Sequence, residues 1–106
     1  MIDLKQKELA RWQNKNFSSE LNKIEYMALG MAEEVGEICH SILKGKQGIR
    51  EGADGNDLTM KIADDFADTV IFGIQLMSCL GLDAEQIITN TINNVVLKRD
   101  WTKSKE

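Results

Sequence analysis

Apolar residues recur along the chain at steps of three and four, the period of an amphipathic helix, in four successive segments. The first spans residues 2–15, with Ile2, Leu4, Leu9 and Trp12 as its apolar positions. Phe17 follows, then Ser18 and Ser19. A serine here suits a helix N-cap, because its hydroxyl accepts from the unpaired amides of the next turn. The second segment runs from Glu20 to Lys44, and Ile24, Met27, Met31, Val35, Ile38 and Ile42 form one continuous stripe. Gly45 and Gly48 are expected to stop it, with Lys44 and Lys46 near the negative end of the helix dipole. The stretch Gly45 to Asn56 holds four glycines and reads as a loop.

The third segment starts near Asp57 and ends at Gly81. Leu58, Ile62 and Phe66 share one face of its first half, whereas Thr69 to Leu80 is apolar almost all round. Such a helix needs cover on every side, which in a small domain points to a partner subunit. The fourth segment begins at Asp83, where Gln86 three residues on completes a capping box, and runs to about Arg99. Trp101 is expected to pack this last helix, and the tail from Thr102 to Glu106 to fray. Short connections between apolar stripes predict an all-α, four-helix-bundle-type fold, residues 1–106 forming one domain.

Composition supports the helices: no proline interrupts 106 residues, and aromatics make up only 6%. A net charge of -4 argues against nucleic acid as the partner, because a phosphate backbone needs a Lys/Arg surface. It leaves room for a nucleotide, whose charge a metal can offset locally. Cys39 and Cys79 lack metal-ligand spacing and are expected to be buried, reduced thiols. The polar N-terminal stretch does not read as a signal peptide, and Val70 to Leu82 is too short to cross a bilayer. The expectation is a cytoplasmic protein with no membrane partner.

The placement of acids carries the chemistry. The second helix holds Glu33, Glu34 and Glu37, and the third holds Asp64, Asp65 and Asp68. Positions three apart lie about 60° from each other on a helix, so Glu34 pairs with Glu37 and Asp65 with Asp68. Each pair borders its own apolar stripe, between Met31 and Ile38 in one case and running into Phe72 and Leu76 in the other. If the stripes pack together, two carboxylate pairs converge, an arrangement that calls for a cation. Oxygen ligands without cysteine select a hard ion, Mg²⁺ or Mn²⁺. The plainer alternative is a solvated acidic surface, paired with lysines. Lys61 is the only lysine between Gln47 and Lys98, which leaves few partners for that reading. Glu37 and His40 have the Glu-x-x-His spacing of di-iron bundles, but a single histidine cannot supply the two motifs required. His40 is expected to flank its helix.

Glu33-Glu34-Val35-Gly36-Glu37, followed by Asp65-Phe66-Ala67-Asp68, resembles the MazG-like all-α nucleoside triphosphate pyrophosphohydrolases. The family motif is Glu-Glu-x-x-Glu, a spacer, then Glu-x-x-Asp. The likeness extends to Arg11-Trp12-Gln13, to Leu43 through Arg50, to the Gly81-Leu82-Asp83 turn and to Lys98-Arg99-Asp100-Trp101. The stretches Gln47-Gly48-Ile49-Arg50 and Arg99-Asp100-Trp101 are similar to those of short, stand-alone bacterial and phage members.

This resemblance implies Mg²⁺-dependent hydrolysis of a (deoxy)nucleoside triphosphate to the monophosphate and pyrophosphate, in the service of nucleotide-pool cleaning. Glu34, Glu37, Asp65 and Asp68 would be the metal ligands, with Asp64 an alternative to Asp65, since the family usually has Glu at that position. Glu33 or Glu34 would orient or deprotonate the attacking water. Trp12 and Phe17 would hold the base, and Asn94, Lys98, Arg99 and Arg50 would contact phosphates; the plainer alternatives are that Trp12 anchors the first helix and that Lys98 and Arg99 are solvated near a helix C-terminus. The family's assembly implies a homodimer or homotetramer. Two other classes remain open: a non-catalytic metal- or nucleotide-binding bundle with a regulatory role, and a structural module whose acids only solubilise it.

Overall fold

The computed structural model describes residues 3–48 and 55–102, with the backbone alone for 55–57. It is all-helical, with no strand among the described residues. Helix α1 spans Gln6–Asn16, α2 Ile24–Lys46, α3 Gly55–Cys79 and α4 Ala84–Thr91. A 3-10 turn, Ser19–Leu21, precedes α2, and α4 continues into a π-helical turn over Ile92–Val96.

The four segments are those that the periodicity predicts, but their ends differ for identifiable reasons. Helix α1 starts four residues later than expected. Lys5 adopts a left-handed conformation, φ 53°, while its amide donates to the Asp3 carboxylate at 2.8 Å. The two serines do not cap α2. Leu21 N–H donates to the Ser18 carbonyl at 3.0 Å, so the pair opens a separate turn. The Asn22 amide, bonded to Asn14 of α1, holds that turn off the α2 axis. At the other end α2 passes through Gly45 and stops at Gly48, φ 75°. The C-terminus of α3 closes as a Schellman turn: Leu82 N–H reaches the Met77 carbonyl at 2.9 Å and Gly81 N–H the Ser78 carbonyl at 3.1 Å. Gly81 supplies the positive φ of 74° that this turn requires. Asp83 then caps α4, accepting from Gln86 N–H at 3.0 Å.

Helices α2 and α3 pack along their length in opposite directions, Gly45 beside Leu58 and Gly30 beside Phe72. The seam on α2 keeps only Met27, Met31 and Ile38 of the apolar stripe and is rotated toward small residues. Met27, Gly30, Met31, Glu34, Ile38, Ser41 and Gly45 are buried or half-buried, whereas Val35 and Ile42 are exposed. Phe66 is likewise exposed, because it sits about 100° round α3 from the buried Asp65. Packing thus follows the small residues that let the helices approach, not the largest apolar ones. Gly30 shows why: a methyl group there would overlap the Phe72 ring.

Helix α1 lies against the second half of α3 and is tied to the α3–α4 junction by Gln6. The Gln6 amide donates to Ser78 Oγ at 3.0 Å and to the Leu82 carbonyl at 2.8 Å, and it accepts from Ala84 N–H at 2.8 Å. The α4 arm departs from α3 at 107°. The four helices therefore do not close into a bundle within one chain. The radius of gyration is 17.4 Å, against about 13 Å for a compact domain of this length. Ile87, Ile88, Ile92, Val95, Val96 and Leu97 of the arm are all exposed, as is Trp101, which the sequence assigned to packing. Among the described residues no single helix is long and apolar enough to cross a membrane.

Candidate metal centre and adjoining aromatic cavity

Antiparallel packing of α2 on α3 brings the acids of the two helices together. Glu34, Asp65 and Asp68 each offer a carboxylate oxygen within 4.8 Å of the other two. Asp65 is the buried member, at 7% exposure; Glu34 is half-buried and Asp68 exposed. Asp64 is exposed and stands outside this cluster, so of the two adjacent aspartates the geometry selects Asp65. Helix geometry accounts for this, since Asp65 shares the seam face of α3 with Ile62, Thr69 and Phe72. Thr69 hydroxyl donates back to the Asp65 carbonyl at 2.7 Å.

Glu37 does not join the cluster. Lys61 lies between the helices, 3.3 Å from the Asp65 carboxylate and 3.8 Å from that of Glu37. The one lysine that the sequence offered as a counter-charge is thus in use, at i,i+4 from Asp65. It does not neutralise the site. The Glu34 carboxyl is held above its ordinary range, first by loss of water around it, then by the negative charges of Asp68, Asp65, Glu33 and Glu37.

The donor set fits a hard divalent cation. It is made of carboxylate oxygens, carries excess negative charge, and leaves one side open to water or phosphate oxygens, as Mg²⁺ sites commonly do. His40 and Cys39 are exposed on α2 and contribute no ligand to it. Neither cysteine is buried as expected: both are free, Cys39 is exposed, and Cys79 is half-buried with its thiol 3.6 Å from the Asn22 carbonyl. In both cases only the face of the helix turned toward the seam is covered within the chain.

Beside the acids lies a cavity of about 650 Å³, lined by residues of α1, the 3-10 turn, α2 and α3. Trp12, Phe17, Tyr26 and Phe72 supply its aromatic walls, Gln13 and Gln75 its amides, and Asp68 its border with the carboxylates. The Trp12 and Phe17 rings meet edge to face, centroids 5.6 Å apart and planes at 78°. The two aromatics singled out in the sequence are therefore in one wall. Tyr26, Phe72 and Gln75 join them without a signal in the sequence: Phe72 reads as core, Tyr26 lies beside the α2 stripe, and Gln75 is a single polar residue in an apolar stretch.

Asn94, Lys98 and Arg99 are exposed on the arm; they do not line this cavity, and no ion pair joins Lys98 or Arg99 to the acids. Arg99 lies over the Trp101 ring, 5.9 Å from its centroid. Arg50 falls outside the described residues. Compared with known protein families, with curated proteins and with solved structures, the chain finds no match in any of the three. The likeness to MazG-like enzymes accordingly rests on the residues and their placement.

Proposed function

We propose that this chain is a MazG-like, Mg²⁺-dependent nucleoside triphosphate pyrophosphohydrolase. One observation carries the reading: Glu34, Asp65 and Asp68 converge at the edge of an aromatic cavity that Asp68 itself borders. Base and triphosphate need adjacent sites of opposite character, and these two features adjoin. Glu34, Asp65 and Asp68 would hold Mg²⁺, with Glu37 as a fourth ligand if Lys61 gives way. When bound, Mg²⁺ supplies the positive charge that offsets the triphosphate and the departing pyrophosphate.

The chain's own groups have separable tasks. Glu33 or Glu34 orients a water toward the α-phosphorus and accepts its proton. Oxygen from that water bonds to the α-phosphorus, and the bond to the α,β-bridging oxygen breaks. Trp12, Phe17, Tyr26 and Phe72 hold the base by stacking and exclusion of water. Asn94, Lys98, Arg99 and Arg50 are assigned to phosphate by resemblance, and the exposed arm that carries the first three gives them their best route to a site in a neighbouring copy. A homodimer or homotetramer, with the protein cytoplasmic, completes the proposal.

Pyrophosphate release from a panel of ribo- and deoxynucleoside triphosphates, with Mg²⁺ or with EDTA, tests the activity. The expected result is metal-dependent release with the monophosphate as co-product. A second reading, a non-catalytic metal- or nucleotide-binding protein, draws on Lys61, which already bridges Asp65 and Glu37. Mg²⁺ binding in calorimetry without release from any triphosphate would favour it.

A further inference from the structure

Besides Asp68 at its border and the Tyr26 hydroxyl, the aromatic cavity has two amides, Gln13 and Gln75, in a largely apolar wall. Gln13 and Gln75 are 4% and 5% exposed. Both also line a smaller cavity of about 480 Å³, with Asn14, Ser19, Asn22 and Ser78. The Gln13 amide donates to Met27 Sδ at 3.4 Å. The Gln75 amide makes no hydrogen bond among the described residues. Among the described residues the sealed side-chain polar atom without a partner is Ser41 Oγ, so the Gln75 amide is open to the cavities it lines. An amide unpartnered within the chain and open to a cavity is available to whatever enters it.

We infer that Gln75, with Gln13 beside it, reads the hydrogen-bonding edge of a nucleobase and sets the base preference of the site. This rests on the nucleotide reading above and deepens it. A primary amide presents an acceptor oxygen next to donor hydrogens. The order in which the cavity fixes the amide oxygen and nitrogen then decides between two kinds of edge: the amino group and ring nitrogen of cytosine or adenine, and the carbonyl and ring N–H of uracil, thymine or guanine. Stacking on Trp12 or Tyr26 tolerates every base, so it supplies affinity without choice. A site built around a hydrogen bond, by contrast, rejects strongly the partner that lacks it. Gln75 follows Asp68 by two turns of α3, roughly 10 Å along the axis. The base edge and the phosphates would thus sit at opposite ends of one extended nucleotide.

The test uses nucleosides, which need neither metal nor turnover. Fluorescence of Trp12, in a Trp101→Phe background, reports binding of nucleosides carrying each of the common bases. We expect the parent protein to rank them over at least a tenfold range, about 1.4 kcal/mol. Gln75→Leu should compress that range to within about threefold. Gln75→Glu, of nearly the same shape but with acceptors only, should shift the ranking toward guanine, whose N1–H and amino group are adjacent donors. Retention of the parent ranking in both variants, or no ranking in the parent, overturns the inference. Circular dichroism establishes that each variant is folded, and Gln75→Glu decides if Gln75→Leu is not. Ranked nucleoside binding without pyrophosphate release would remove the enzymatic reading and leave this inference intact. Pyrophosphate release whose base preference ignores Gln75 would do the reverse.

Discussion

The α2–α3 pair and the α4 arm are both helical and both rich in isoleucine and leucine, yet they bury those residues differently. In the pair, small residues at Gly30, Ser41 and Gly45 let two long helices approach, and the acids are carried into contact with each other. In the arm, Leu97 is 70% and Trp101 67% exposed, and the helix leaves the body at 107°. One region is organised around a site; the other has surface without cover. An apolar face of that extent on a chain this short is what an interface would cover. In the proposed function the chemistry falls to the pair and assembly to the arm, and each proposal can be broken separately.

The largest effect should follow from the acids. Asp68→Asn and Glu34→Gln are each expected to lower pyrophosphate release at least ~100-fold, the scale of losing one preorganised electrostatic partner. Thermal stability should hold or rise, since both changes relieve repulsion within the cluster. Turnover close to that of the parent in both variants would detach the cluster from the chemistry.

The arm comes next. Ile88→Lys combined with Ile92→Lys puts two charges on its exposed apolar surface. Sedimentation should show the parent as a dimer or tetramer and the double variant at a lower mass, with Mg²⁺ binding at the acids retained. Unchanged mass in the variant would return the arm to the role of solvated appendage.

Much of this division is legible in the sequence, and the part that is not has a physical cause. Helical period located all four segments, and the spacing of the acids paired Glu34 with Glu37 and Asp65 with Asp68, of which Glu34, Asp65 and Asp68 come together and Glu37 does not. What period cannot supply is the rotation of each helix about its axis. Val35 and Ile42 belong to the apolar stripe of α2 as surely as Met27 does, but the seam follows the glycines, so they remain exposed. The same rotation brings Lys61 between Glu37 and Asp65 and leaves Asp64 outside. Tyr26, Phe72 and Gln75 were hidden for a related reason. Each is unremarkable on its own helix and acquires a role only where three helices meet.

Gly30 gives a smaller effect that tests the seam directly. Gly30→Ala must push the Phe72 ring aside, because the new methyl group and the ring would occupy the same space. Overpacking of this kind costs about 1–3 kcal/mol. Phe72 also lines the aromatic cavity, so nucleoside affinity should fall along with the melting temperature. Loss of stability with unchanged nucleoside affinity would separate the seam from the cavity.

The smallest effect is a pH dependence of the metal-free protein. Glu34 binds its proton more tightly in the folded chain than in the unfolded one, because water is withheld from it and four neighbouring carboxylates repel its charge. A carboxyl whose folded pKa is raised destabilises the fold while it is ionised. Below the ordinary carboxylate value it is protonated in both states, and that penalty is absent. Its contribution to the melting temperature in EDTA should therefore increase as pH falls from neutrality through the raised pKa toward the ordinary range. Glu34→Gln has no such group to titrate and should flatten that portion of the curve. Mg²⁺ should flatten it as well, by favouring the ionised carboxylate through the same contact that makes it a ligand. A slope that persists in both cases would mean that the excess charge lies elsewhere, and that Glu34 is not where the two helices concentrate it.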